Sequence, residues 1–141
     1  MTPAAARETG TVSVNLIVYR LPVLLYMGLI FYESSGPIES PALEAIPDTV
    51  LHAAGYTVLY LLAFWAVHEG LAVAARRGGY WLPAMITVLY GASDEFHQSY
   101  VPGRVASLQD LAADAAGAVL GILLVAVLRR LYKKKREGIA P

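Results

Sequence analysis

Four stretches of this chain are apolar over about the length of a bilayer, and no other feature of the sequence restricts its fold as strongly. They cover residues 14–35, 48–67, 80–98 and 107–128. Crossing the hydrocarbon core takes about 20 helical residues, and lipid offers no partners for backbone N–H and C=O groups. The composition agrees, with 57% hydrophobic and 16% charged residues. The sequence therefore predicts an all-α polytopic membrane protein, a four-transmembrane-helix bundle forming one domain over residues 1–141.

The first and third stretches each carry a complication. Arg20 and Pro22 interrupt the first, but Arg20 can extend to the interface and Pro22 is tolerated in a first helical turn. A cleaved signal peptide is the competing interpretation of this stretch; the lack of an A-x-A-like site and the acidic Glu33 disfavour it. The third stretch reaches bilayer length only by including polar residues 93–98. Residues 1–13 are expected to form a short mobile arm, and residues 34–47 a loop.

The charges are strongly segregated along the chain. With four spans, ten of the eleven Lys and Arg residues fall on the side of the termini, six of them in the basic tail 129–141. The opposite side keeps Arg104 and receives eight of the eleven acids. The positive-inside rule then predicts both termini in the cytoplasm. The basic charge of the tail is explained by membrane topology and by attraction to anionic lipid, so nucleic acid is not predicted as a partner.

Residues 92–110 place polar groups directly between two apolar stretches. Six of them stand out: Asp94, Glu95, His97, Gln98, Arg104 and Asp110. An ionised side chain at a membrane helix centre costs roughly 2.5–3.5 kcal/mol on insertion scales, so these groups are expected to have a use. Helical spacing places Asp94 and His97 or Gln98 on one face.

The other predicted helices carry matching polar stripes, which should turn inward. The stripes consist of Tyr26 and Glu33, His52 with Tyr56 and Tyr60, and Asp110 with Asp114. Gly117 and Gly121 form a G-x-x-x-G pattern that permits close helix approach. Asp48 is a candidate N-cap of the second helix, and Ser107 with Asp110 resembles a capping box opening the fourth. All four helices should then contribute polar groups near the extracytoplasmic mouth.

Several chemistries fit this set of residues. The acid/base candidates are Asp94, Glu95, His97 and His52, and the ligand-binding candidates are Arg104, Gln98, Asp110, Glu33, Asp48 and Tyr56. The Arg104 fork can hold a phosphate or carboxylate, or pair internally with Asp110 or Glu95. No metal or other cofactor is predicted, although His and carboxylate groups leave Zn²⁺ as an open alternative. A second alternative is that the polar groups pair only with one another to fix helix packing. His68 is expected to be an interfacial residue without a role.

Several segments form a recognisable pattern: Asp94-Glu95 with Gln98, Pro102-Gly103-Arg104, and Asp110 before a glycine-bearing helix are the most specific, and Leu21 to Ser35 and Pro47-Asp48 with His52 add to them. Together these segments resemble the VanZ-like family of small membrane proteins, named for a teicoplanin-resistance protein. Two positions depart from the family pattern: Thr49 stands where a lysine is usual, and Ala53 where an aromatic residue is common. The resemblance implies a role in the bacterial cell envelope and tolerance of glycopeptide antibiotics.

From the site and the resemblance together, we expect a protein of the bacterial cytoplasmic membrane that recognises or modifies an envelope lipid or lipid-linked component. Membrane lipids, a lipid-linked envelope precursor and a glycopeptide are the candidate partners. A non-enzymatic binding or transport element and a structural partner of an envelope protein are the alternatives. Whether a reaction is catalysed stays open at this point.

Overall fold

The computed structural model describes residues 15–36, 45–70 and 79–138, apart from the Arg136 side chain. Four helices make up nearly all of this part of the chain. They are α1 (Leu16–Ser34), α2 (Asp48–His68), α3 (Trp81–Gln98) and α4 (Leu108–Glu137). The described residues contain no strand, which confirms the all-α prediction. The predicted arm 1–13, the middle of the loop 34–47, and Arg76 and Arg77 lie outside the described residues.

Three of the four helices, α1, α2 and α4, are long and apolar enough to cross a membrane. Helix α3 is not among them, because its last turns carry acids and amides. Its exposed face is nevertheless apolar and follows helical spacing, with Trp81, Met85 and Leu89 at 78, 56 and 64% exposure. Its polar residues Asp94 and Gln98 are buried against the other helices. Helix α3 is thus apolar on its outer face and polar on its inner face. A mean hydropathy over the whole helix averages the two faces and does not show this difference.

Helix α1 begins with a widened turn whose backbone accepts a hydrogen bond from α2. Pro22 has no N–H, so the turn before it lacks one regular backbone bond. Residues Leu16–Arg20 form a π-helical turn, in which the Leu21 N–H bonds the Leu16 carbonyl. The Trp65 indole of α2 donates to the Val18 carbonyl in this turn at 3.2 Å. The proline therefore sets up a polar contact between α1 and α2.

Helices α2 and α4 pack closely through the predicted glycine pattern. A Cβ at Gly117 would lie 2.5 Å from the Ala53 carbonyl oxygen, and one at Gly121 would overlap the Tyr60 ring. The Thr57 hydroxyl donates to the Gly117 carbonyl at 3.1 Å across this contact. The predicted close approach is confirmed, and it fixes the height at which the acids of α4 meet α2.

One helix runs further than the apolar span predicted on it, and one predicted cap differs from the structure. Helix α4 continues past residue 128 to Glu137, because residues 129–137 are good helix formers and Lys133 and Glu137 pair at 3.6 Å. The predicted N-cap role of Asp48 is wrong: Pro47 holds the cap position, without a side-chain cap bond, and Asp48 is the first helical residue. The Asp48 carboxylate lies instead 3.9 Å from His52 Nε2, one turn further on.

Candidate functional site

A cavity of about 850 Å³ opens between α1 and α2 and extends to α3. Ligand sites are commonly about 300–1,000 Å³ in volume. Its walls are largely apolar, its floor is polar, and charged residues lie at its rim. The walls are formed by Tyr26, Leu29, Ile30 and Leu51, and the floor by His52, Tyr56, Asp94 and Gln98. The rim is formed by Glu33, Asp48 and Arg104. The cavity therefore combines a surface for hydrocarbon with groups that can bind or move a proton.

We call five residues at and behind this floor the acid cluster. They are His52 and Asp94, which line the floor, and Glu95, Asp110 and Asp114, which lie behind it. His52, in the first turns of α2, places Nδ1 2.9 Å from Asp114 Oδ1 and 4.0 Å from Glu95 Oε1. Gly91 makes room for Asp114, because a Cβ there would lie 2.6 Å from Asp114 Oδ2. Side chains from α2, α3 and α4 thus meet around one imidazole ring.

Asp94 is held from two sides on a single oxygen. The Gln98 amide donates to Asp94 Oδ2 at 3.1 Å from the next turn of α3, and the Tyr56 hydroxyl donates to the same oxygen at 3.4 Å. The Tyr56 ring lies parallel to His52, with the ring centroids 6.1 Å apart. Asp94 Oδ1 is buried and has no hydrogen-bond partner.

Glu95 completes the cap of α4 from a different helix. The Ser107 hydroxyl accepts the Gln109 N–H at 3.0 Å, as predicted for an N-cap. The return bond of a capping box would come from Asp110, but Glu95 Oε2 accepts the Ser107 N–H instead, at 2.7 Å. One oxygen of Glu95 is therefore structural, and the other, Oε1, is buried and without a partner.

The acid cluster holds more negative charge than its described partners balance. Asp94, Glu95, Asp110 and Asp114 are 4, 7, 8 and 0% exposed. Within residues 15–36, 45–70 and 79–138, His52 is the one basic side chain within 4.0 Å of these carboxylates. Two like charges 4 Å apart repel by about 4 kcal/mol at an effective dielectric constant of 20. Four buried carboxylates with one imidazole as their basic neighbour are therefore electrostatically unfavourable unless further positive charge is supplied.

Arg104 binds backbone rather than acids. Its Nε donates to the Gly36 carbonyl at 2.8 Å, and one terminal nitrogen donates to the Glu33 carbonyl at 2.9 Å. These bonds attach the turn after α3 to the end of α1. The alternative pairing of Arg104 with Asp110 or Glu95 does not occur in the described structure. Its charge is therefore directed to the rim of the cavity.

Most of the predicted site residues come together, but His97 does not join them. His97 Nε2 lies 3.1 Å from the Ser35 hydroxyl, and its ring stacks on Phe31 at 4.4 Å. Gln98, rather than His97, takes the inner position beside Asp94. Glu33 and Asp48 are exposed at the rim.

Sequence reasoning placed Asp114 in an inward polar stripe but not among the acid/base or ligand-binding candidates, and it is the closest partner of His52. The sequence signal for this role of Asp114 was its position one turn after Asp110 in an otherwise apolar helix. Gly91 was also missed as the residue that makes room for that carboxylate. Neither role can be recognised without knowing which helices face each other.

Helical composition and an acid-lined cavity define an α-helical membrane protein with a polar site at one end of its bundle. A model of the VanZ/LLP1 family matches residues 19–129, which include the whole cavity and the acid cluster. The chain therefore belongs to the VanZ/LLP1 family, as the resemblance indicated. Searches of curated proteins and of solved structures found no match.

Proposed function

We propose that this protein crosses the bacterial cytoplasmic membrane four times, with both termini in the cytoplasm and the cavity at the extracytoplasmic end. The apolar outer face of α3 supports a fourth crossing, since Leu89 and Met85 would face lipid while Asp94 and Gln98 face the bundle. The basic residues at the end of α4 support the orientation, because such residues are retained in the cytoplasm.

The cavity recognises the anionic headgroup of an envelope lipid or of a lipid-linked envelope precursor. The observation that carries this proposal is Arg104 at the rim of a cavity of about 850 Å³ with apolar walls. Leu29 and Tyr32, 50 and 75% exposed, lie where the cavity opens between α1 and α2. A headgroup can therefore enter sideways while its hydrocarbon chain stays in the bilayer.

The floor of the cavity provides a candidate acid/base pair for modifying such a headgroup. Asp114 holds His52 through Nδ1, and Nε2 on the other side of the ring is directed toward Asp48. An imidazole oriented by a carboxylate can take a proton from a hydroxyl group or water and return it to a leaving group. Tyr56 and Gln98 hold Asp94 in the same floor of the cavity. Headgroup modification is therefore the enzymatic form of the proposal.

Lipid binding tests the recognition step. Arg104→Gln keeps an N–H donor for one of the two carbonyls but removes the charge. Hydrogen bonds to charged groups contribute about 1.5–3 kcal/mol, so binding of an anionic lipid should weaken roughly 10- to 100-fold. The measurement is native mass spectrometry or a titration in nanodiscs with phosphatidylglycerol and with a lipid-linked pyrophosphate. Arg130→Gln, an exposed arginine near the far end of α4, is the matched control.

Equal weakening in Arg104→Gln and Arg130→Gln would mean that lipid binds by surface charge alone, and the recognition proposal would fail. A teicoplanin susceptibility test in a host expressing the protein separates the remaining alternatives. Loss of protection in both Arg104→Gln and His52→Gln favours chemistry at the headgroup. Protection retained in His52→Gln but lost in Arg104→Gln favours a non-enzymatic binding or transport element. No effect of either variant leaves only a structural role beside an envelope protein.

A further inference from the structure

We propose that His52, Glu95 and Asp114 form a binding site for a divalent transition-metal ion such as Zn²⁺ or Mn²⁺. One donor atom from each of these residues lies within 4.8 Å of the others. Donors that share an ion at about 2.0–2.2 Å are themselves roughly 3–3.5 Å apart. The observed separations from His52 Nδ1, 2.9 Å to Asp114 and 4.0 Å to Glu95, need only small adjustments to reach that geometry.

Buried carboxylate oxygens that lack a hydrogen-bond partner support this inference more strongly than the clustering of acids does. Glu95 Oε1 faces His52 Nδ1, is buried, and has no hydrogen-bond partner. Asp114 Oδ2 is likewise buried and without a partner, on a side chain that is fully inaccessible. Buried polar atoms in folded proteins nearly always have a partner, so each exception calls for an explanation. A cation between the two carboxylates gives Glu95 Oε1 a partner, and it gives Asp114 Oδ2 one if that carboxylate binds the ion through both of its oxygens.

The charge balance of the acid cluster points the same way. Three buried carboxylates, of Glu95, Asp110 and Asp114, have an oxygen within 4.8 Å of a ring nitrogen of His52, and the described Arg104 donors go to backbone carbonyls. A divalent ion neutralises two of the negative charges at once and needs a site with ligands fixed in advance. One imidazole nitrogen with carboxylate oxygens is a ligand set that suits Zn²⁺ or Mn²⁺.

The surroundings hold the proposed ligands in place. The Ser107 N–H fixes the far oxygen of Glu95, and the absence of a Cβ at Gly91 leaves space for Asp114. Asp48 and Asp110 form a second group with His52, on the side toward the cavity rim. His52 is shared between the acid cluster and the cavity floor, so an ion can enter from the cavity. These features separate the proposed site from an incidental patch of surface acids.

The test is metal binding by the whole protein in detergent, purified without chelator and without a polyhistidine tag. We expect about one ion per chain by elemental analysis. After chelator treatment, Zn²⁺ alone or Mn²⁺ alone should bind again and raise the thermal midpoint, and bound Mn²⁺ should show a broadened electron paramagnetic resonance spectrum. Asp114→Asn and Glu95→Gln should each weaken binding about 100-fold or more. Both amides keep a hydrogen-bond acceptor for His52 or Ser107, so the fold should persist.

The charge-matched control is Glu137→Gln at the far end of α4, which should leave metal binding unchanged. The proposal is overturned if wild-type protein neither carries an ion nor shifts its thermal midpoint with Zn²⁺ or Mn²⁺. Equal loss in Glu137→Gln and Asp114→Asn would overturn it as well, by showing surface binding. The inference is independent of lipid recognition at Arg104: metal binding without lipid binding would remove only the latter, and the reverse result only the former. It replaces the acid/base role of the His52–Asp114 pair, because a bound ion takes the Nδ1 atom through which Asp114 holds the ring.

Discussion

Helix α2 carries a histidine near each end, His52 partly buried and His68 fully buried, and the two surroundings differ. At the end we call the His68 end, His68 Nε2 lies 2.8 Å from the Gly79 carbonyl and its ring packs on Phe64 at 4.3 Å. Arg129 donates to the Tyr80 hydroxyl beside it at 3.1 Å. At the other end, the His52 end, the imidazole faces several acids. All three unpartnered buried side-chain atoms of the described residues, on Asp94, Glu95 and Asp114, are found there.

This difference separates two uses of polar residues inside a helical bundle. Among the described residues of the His68 end, the His68 ring and the Arg129 guanidinium meet a carbonyl, a hydroxyl or an aromatic ring, which are contacts that helix packing requires. The His52 end collects charges of one sign, although polar bonds between membrane helices contribute on average only about 0.6 kcal/mol. Packing accounts for the bonds of Asp94 to Gln98 and of Glu95 to Ser107. It does not account for the excess of carboxylates.

The largest effect on stability is expected at the His68 end. His68→Ala removes a fully buried ring together with its contact to the Gly79 carbonyl. The cavity and the unpaired carbonyl should lower the free energy of unfolding by about 2–4 kcal/mol. Chemical unfolding in detergent, followed by circular dichroism, measures this. An unchanged midpoint would contradict the view that this end is a packing element, and lipid binding at the cavity should not change.

The next effect, at the His52 end, tests the fit of Asp114. Gly91→Ala adds a Cβ 2.6 Å from Asp114 Oδ2 and 3.0 Å from the Tyr56 ring. Overpacking of this kind costs about 1–3 kcal/mol, and it should also weaken metal binding.

The matched control is Gly28→Ala in α1, where an added Cβ meets nothing within 4 Å. It should leave stability unchanged or raise it by up to about 1 kcal/mol, because alanine favours the helix. Similar losses in Gly28→Ala and Gly91→Ala would show that the close contact at Asp114 is unimportant. A double variant with Asp114→Ala should recover part of the stability lost in Gly91→Ala, since it removes the group that the new Cβ would meet.

These contacts show which parts of the structure can be predicted from the sequence. The helices follow from apolar runs, and the approach of α4 to α2 follows from Gly117 and Gly121. The sequence predicts where the apolar span on α4 ends but not that the helix continues to Glu137, because a run of Lys and Arg resembles a solvated tail even when it is helical. The polar face of α3 was predicted correctly, but spacing alone does not decide between His97 and Gln98 as the inner residue. Phe31, 66 positions away in the chain, stacks on His97 at the contact with α1.

The partners of charged residues are also hard to predict from the sequence, because, as for His97, they lie far away in the chain. Arg104 bonds two backbone carbonyls at the end of α1, and carbonyls leave no mark in a sequence. Asp114 finds His52 only because two glycines bring their helices together, 62 positions apart in the chain. Local patterns identify which residues are unusual, whereas long-range packing decides which of them meet.

The smallest expected effect separates the two oxygens of Glu95. Glu95→Gln retains an acceptor for the Ser107 N–H and removes one buried charge from a cluster of like charges, so it should not lower the free energy of unfolding without metal. Glu95→Ala also removes the acceptor at the start of α4 and should cost about 1 kcal/mol, the usual contribution of a helix cap. Unfolding in detergent with chelator present measures both. If Glu95→Gln is as destabilising as Glu95→Ala, then the charge itself stabilises the bundle. In that case the carboxylates at the His52 end would serve packing, as the polar groups at the His68 end do.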